Sequence, residues 1–222
     1  MLCGSRVKRV GLHSAFCILT FTFFSSGCEV AGVLLHTAIG EPPVPAQFEP
    51  PKEPTLILVE NYRSPDSMQL DGDQIAHQIG EELKKEAKLD LVDSEKLQEL
   101  REDDVEAYRK MKITDVGKAA NAKTVIYVDL LESEVSQDPS QGAVHAVATA
   151  RIKVVDVKTG NTLWPSDASH GKELSQTVEY DQLDGQRAVA MHTEMLTKLS
   201  SKIAKLFYTW KPEDQYQEDA GG

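Results

Sequence analysis

The chain has 222 residues but only three cysteines, at positions 3, 17 and 28, too few for a disulfide scaffold. Aromatic residues make up 6%. The sequence has no HExxH, P-loop, Gly-x-Gly-x-x-Gly or Gly-x-Ser-x-Gly. The histidines beyond residue 30 are His36, His77, His145, His170 and His192, and no two have the i,i+2 or i,i+4 spacing of a metal site. Asp66, Asp71 and Asp73 lack the ligand spacing and closing Glu of a calcium loop, so they read as helix-capping residues. No apolar run approaches the ~20 residues that span a bilayer. Positive charge is also short: 24 Lys and Arg stand against 35 Asp and Glu, a formal charge of −11. Such a balance argues against nucleic acid, whose phosphates need a basic patch. No metal, cofactor, catalytic set or small-molecule substrate is expected.

What is present begins with an address. Arg6, Lys8 and Arg9 form a basic start without acids, and Ala15 to Phe24 is a ten-residue apolar run. Ser25, Ser26 and Gly27 are small, and Cys28 follows. Residues 1–27 read as a secretory leader. The site resembles the lipobox of bacterial lipoproteins, although Ser25 stands where Leu or a similar residue is usual. That resemblance implies cleavage before Cys28 and acylation (diacylglycerol and palmitate) of its thiol. An uncleaved anchor over 12–39 and a plainly secreted chain are the alternatives. Cleavage would discard Cys3 and Cys17 and leave 21 basic against 35 acidic residues. A mature chain so acidic is expected to be repelled by anionic headgroups.

Residues 41–54 hold six of the ten prolines. Proline fixes φ and removes a donor, so residues 28–54 read as an anchored cysteine followed by an extended tether. A folded domain is expected over 55–210, with a polar tail over 211–222. Thr55 to Val59 is a continuous apolar run, a strand covered on both faces. Asp71 is the expected cap of a helix carrying Ile75, Ile79, Leu83 and Ala87 on one stripe. Leu89–Val92 is expected as a second strand. Ser94 then caps a helix over 95–111, whose Arg101–Asp104 run is a solvated face. Thr114 caps a short helix over 115–122.

Strands are expected at 124–134, 143–157 and 161–164, then a long loop over 165–181 and a last helix from Asp184 to about Tyr208. In the strand 143–157, Val144, Ala146, Ala148, Ala150, Ile152 and Val154 face one side. His145, Thr149, Arg151 and Lys153 face the other, a basic row that could receive an acidic partner. Trp164 at a strand end reads as a plug for the core edge or an anchor for a partner. His192 is expected as a satisfied buried histidine and His77 as exposed.

The resulting class is α/β (α+β): a single mixed sheet of about five strands packed by three main helices, in the order β-α-β-α-α-β-β-β-α. That order, the run Ala120 to Val128 and the hairpin Ile152 to Trp164 look like the α/β domain of periplasmic lipoproteins related to activators of penicillin-binding proteins. The curli-secretion lipoprotein and the N-terminal domain of the Tol-system β-propeller protein share that architecture. The resemblance implies a non-enzymatic, lipid-anchored protein of the cell envelope, facing the periplasm or exterior and acting through protein partners. A subunit of an oligomeric envelope secretion or assembly complex is the alternative; an envelope hydrolase with an unrecognised site ranks below it.

Overall fold

The computed structural model describes residues 41–61, 69–137, 144–167, 170–180 and 185–212. The leader, Cys28 and Asp184 lie outside them, as does the tail beyond residue 212. The chain divides into Met1–Val44 with Lys211–Gly222, and the compact unit Pro45–Trp210.

Its elements are β1 (Thr55–Glu60), α1 (Gln69–Glu86), α2 (Ser94–Asp103), α3 (Val105–Tyr108) and α4 (Ile113–Ala119), then β2 (Thr124–Gln137), β3 (Val144–Asp156), β4 (Thr162–Trp164), β5 (Lys172–Tyr180) and α5 (Gly185–Ala204). Strand β1 pairs parallel with β2, Thr55 opposite Thr124 and Glu60 opposite Asp129. Strand β2 runs antiparallel to β3, and β3 carries both β4 and β5 on its far edge. This is a five-stranded mixed sheet, as the sequence pattern indicates.

The apolar run of β1 divides between two cores because its side chains alternate. Ile57 and Val59 join Ile75, Ile79 and Leu83 of α1 and Met195, Leu199 and Ile203 of α5. Leu56 and Leu58 enter a smaller cluster with Leu97 of α2, Val116 of α4, Val125 and Tyr127. The expected inward row of β3, from Val144 to Val154, is fully buried under α5. Three of its members are alanines, which let the helix approach closely. Gly117 serves the same end on the other face: a Cβ there would stand 2.7 Å from Val157 Cγ2.

Several expected elements differ. Leu89–Val92 makes only one bridge, Leu91 to Thr55, and β5 is the fifth strand instead. Only Leu174 and Val178 of β5 contribute apolar contacts to the main core, so its alternation is too sparse to read. The helix expected over 95–111 breaks at Asp104, which is extended and accepts from the Ala107 amide at 2.9 Å. Aspartate prefers that capping role to a helix interior. Asp93 rather than Ser94 caps α2, accepting from the Glu95 amide at 3.0 Å. Lys112 rather than Thr114 precedes α4, and Asp71 lies in the first turn of α1 instead of capping it.

The domain also starts earlier than Thr55. Leu206 O accepts from the Gln47 and Phe48 amides at 2.8 and 3.2 Å. Phe48 stacks on Trp164 at 6.4 Å, and Trp164 meets Phe207 edge-on at 5.7 Å. Pro54 O accepts from the Lys123 amide at 2.7 Å. Residues 45–54 are therefore packed on the sheet rather than extended away from it, because Phe48 gives the proline-rich stretch an apolar foothold. Phe48→Ala should lower the unfolding free energy by about 2 kcal/mol, less than a fully buried phenylalanine because the ring is half-buried. Chemical denaturation reads this out, and an unchanged midpoint would show that the segment carries no stability.

Candidate interaction surface

The two faces of the sheet are covered unequally. Helices α1 and α5 pack on one face, while α2 and α4 pack on the other against β1, the first half of β2 and the end of β3. Between Leu130 and Glu132 the β2–β3 register shifts by one residue. Such a bulge bends the strand. Beyond it, Glu132, Glu134 and Ser136 stand beside Thr149, Val147 and His145, with Ser175, Thr177 and Glu179 of β5 on the far side. Among the described residues no helix covers this patch.

His145 and Thr149 lie on it; Arg151 and Lys153, on the same side of β3, stand opposite Asp129 and Tyr127 before the bulge, and all four are half-buried. Each meets a neighbour that changes its meaning. His145 Nδ1 is 3.3 Å from Glu179 Oε1, and Arg151 Nη2 is 3.2 Å from Glu173 Oε2. Thr149 Oγ1 is 3.3 Å from Glu132 Oε2 and 3.2 Å from Ser175 Oγ. Lys153 Nζ sits 5.0 Å from the centre of the Tyr127 ring. Cross-strand opposite charges are favoured in this way. The row is thus not a basic surface: five carboxylates, Asp129, Glu132, Glu134, Glu173 and Glu179, share the side with two permanent cations and one histidine. The acids come from strands the row does not contain, so β3 alone could not reveal them. Trp164 is excluded from the surface: it is 9% exposed, held between Phe48 and Phe207, and acts as the core-edge plug.

Two polar clusters leave no periodic signal in the sequence. Asp71 of α1, Ser133 of β2 and His192 of α5 converge: Ser133 Oγ donates to Asp71 Oδ2 at 2.7 Å, and His192 Nε2 lies 3.1 Å from Ser133 Oγ and 3.2 Å from Asp71 Oδ2. The residue types are those of a hydrolase triad, but both neighbours address the same imidazole nitrogen. A proton relay needs acid and nucleophile on opposite nitrogens. The arrangement instead ties three elements together. His192 is thus satisfied, as expected, though it remains partly exposed, and His77 is exposed.

The second cluster centres on Arg101, whose side chain is 16% exposed and so is not part of a solvated face. Its Nη1 donates to Asp73 at 2.7 Å, its Nη2 to Val59 O at 3.3 Å and its Nε to Tyr108 Oη at 3.4 Å. Tyr108 in turn donates to Glu60 at 2.9 Å. Burial, then the Glu60 charge, push the Tyr108 phenol up to about 12 against the pull of Arg101. Asp71 and Asp73 are thus engaged separately, and Asp66 lies outside the described residues. Among the described residues no group of His, Cys, Asp or Glu could hold a metal ion, and no helix is long and apolar enough to cross a membrane.

Together these features define an α/β domain whose sheet leaves one charge-patterned face open. The sequence model of the peptidoglycan-synthase activator LpoB matches residues 29–169, more than half of the chain, and the chain belongs to that family. No curated protein matches it. Among solved structures it is similar to lipoprotein GNA1162 of Neisseria meningitidis, at 12% identity over 66% of this chain and 97% of that one, with a TM-score of 0.45. Protein XCC0632 of Xanthomonas campestris is similar at 9% identity over 81% and 98%, with a TM-score of 0.44. The PelC dodecamer of Paraburkholderia phytofirmans is similar at 13% identity over 74% and 94%, with a TM-score of 0.37.

The Arg101 cluster makes a pH prediction. The folded-state phenol of Tyr108 titrates near 12, above its ordinary 10, so its contribution is complete below pH 10 and falls away as pH rises toward 12. Tyr108→Phe should flatten part of the decline in unfolding free energy between pH 10 and 12. An identical slope in the variant would mean that the phenol does not carry it.

Proposed function

We propose that this protein is a non-enzymatic, lipid-anchored activator of a peptidoglycan synthase in the cell envelope. The family match over residues 29–169 carries the proposal. The leader and the cysteine at position 28 support anchoring: acylation there would hold the chain on a membrane, with the domain on the periplasmic or outer side. The charge pattern of the open face supports recognition by contact. His145, Thr149, Arg151 and Lys153 would form its centre, with Glu132, Glu134, Glu173 and Glu179 at their flanks.

This reading changes the partner chemistry that the strand alone suggests. A surface with more carboxylates than cations complements a mixed or basic patch rather than an acidic one. Charge complementarity of this kind sets approach rate and register more than raw affinity. Activation would follow if the synthase surface engaged by the domain differs between its resting and active states, since a ligand shifts an equilibrium only by its differential affinity.

Two measurements test the proposal. Cys28→Ser should abolish lipid labelling and release the protein from membranes; unchanged partition would sink the anchor. Arg151→Glu replaces the cation that faces Glu173 across the β3–β5 pair with a carboxylate. It should weaken stimulation of the synthase roughly tenfold, in line with the cost of about 1.4 kcal/mol for one mismatched interfacial charge, while melting within a few degrees of the parent. Undiminished stimulation by that variant would place the contact elsewhere.

A further inference from the structure

The acidity of the chain is not evenly spread. At the end of the sheet where β1 and β2 begin and β3 finishes, Lys118, Lys123 and Lys158 surround a cavity of about 410 Å³ floored by Ala122 and Val157, with Asn121 on its rim. The three lysines are exposed, whereas Val157 and Ala122 are buried. Lysines beside the end of a helix often serve its last carbonyls, but here those are engaged. Val116 O, Gly117 O and Lys118 O accept from the amides of Ala120, Ala122 and Asn121 at 3.0, 2.8 and 3.0 Å. The nearby acids are engaged. Asp115 pairs with Lys118 at 3.2 Å, Glu53 accepts from the Thr124 hydroxyl at 2.6 Å, and Asp156, beside Lys158, accepts from the Thr159 amide and hydroxyl at 2.6 and 2.7 Å. Lys123 also marks where the N-terminal segment joins the sheet, since its amide donates to Pro54 O at 2.7 Å.

We propose that Lys118, Lys123 and Lys158 form a seat for the phosphates of anionic lipid headgroups, turning this end of the domain toward the membrane. The inference rests on the anchored reading above, which supplies the surface. The seat faces the bilayer while the carboxylates around the open sheet face, most of them beyond the β2 bulge, stay away from it. An acidic domain is then oriented rather than merely repelled. Each lysine near an anionic surface contributes a modest, salt-screened attraction, and three together are enough to bias the orientation of a domain that is already tethered.

The test uses the full-length acylated protein, carried in vesicles containing phosphatidylglycerol or in vesicles of phosphatidylcholine alone. Lysine acetylation is read residue by residue by mass spectrometry. On phosphatidylglycerol, Lys118, Lys123 and Lys158 should each react roughly fivefold more slowly, the occupancy ratio of about 1 kcal/mol per lysine. Lys110 and Lys198 should keep their rates, and molar salt should remove the protection. The variant Lys123→Glu should float with both vesicle types and melt like the parent, but lose the phosphatidylglycerol-dependent protection at Lys118 and Lys158. Flotation with equal labelling of the three lysines overturns the seat alone. Protection by inorganic phosphate on the detergent-solubilised protein, as strong as on phosphatidylglycerol vesicles, also overturns it in favour of a free-anion site. Failure to float with either vesicle overturns the anchored reading and the seat together.

Discussion

Strand β2 is held by β1 through Asp129 and by β3 to its last residue, and the ladder slips by one residue between Leu130 and Glu132. Before the slip, β2 lies between two helical layers, so Val125 and Tyr127 on one side and Ile126 and Val128 on the other are all buried. After it, the strand has left β1 behind and keeps helices on one side only. The inner side stays closed by the alanines of β3 and the methionines and leucines of α5. The outer side becomes the place where β2, β3 and β5 display charge. The sandwiched first half supplies the rigidity that lets an open second half hold its shape.

How much of this the sequence reveals depends on the period of each segment. The apolar run of β1, the strict alternation of β3 and the stripe of α1 each state their own burial, and the structure agrees with them except at Ala87, which lies just past α1 and is only partly buried. Strand β5 does not, because an edge strand with two apolar anchors has no period to detect. The break at Asp104 is legible only afterwards, since a pair of aspartates suits a solvated helix face as well as a cap. The site is less legible than the fold for a single reason: charge on a sheet belongs to neighbouring strands. Arg151 and His145 read as a basic row along β3, and Glu173 and Glu179 of β5 reverse that sign. Arg101 shows the same effect within a helix, since its partners Asp73, Val59 and Tyr108 come from three other elements.

Membership of the synthase-activator family and the open face are consistent with a protein that works by being touched. The convergence of Asp71, Ser133 and His192 shows why residue types alone mislead. Their geometry ties α1, β2 and α5 at the end of the domain nearest the open face, where loss of order would blur the surface. Together with the Arg101 cluster, it places the polar cross-links at the periphery of the core, where solvent lowers the cost of imperfect pairing.

The stack of Phe48 on Trp164 has a consequence for distance. It fixes the chain to the domain at Pro45–Phe48, so residues 45–54 cannot lengthen a leash. If the leash were counted to Pro54, ten more residues would extend it by roughly 30 Å at the rise of a polyproline stretch. With Phe48 seated, a domain anchored as proposed would be moored closer in, and its partner would have to come within that shorter radius. Tension on the leash would load an aromatic stack and two amide hydrogen bonds to Leu206 O before it reached the sheet.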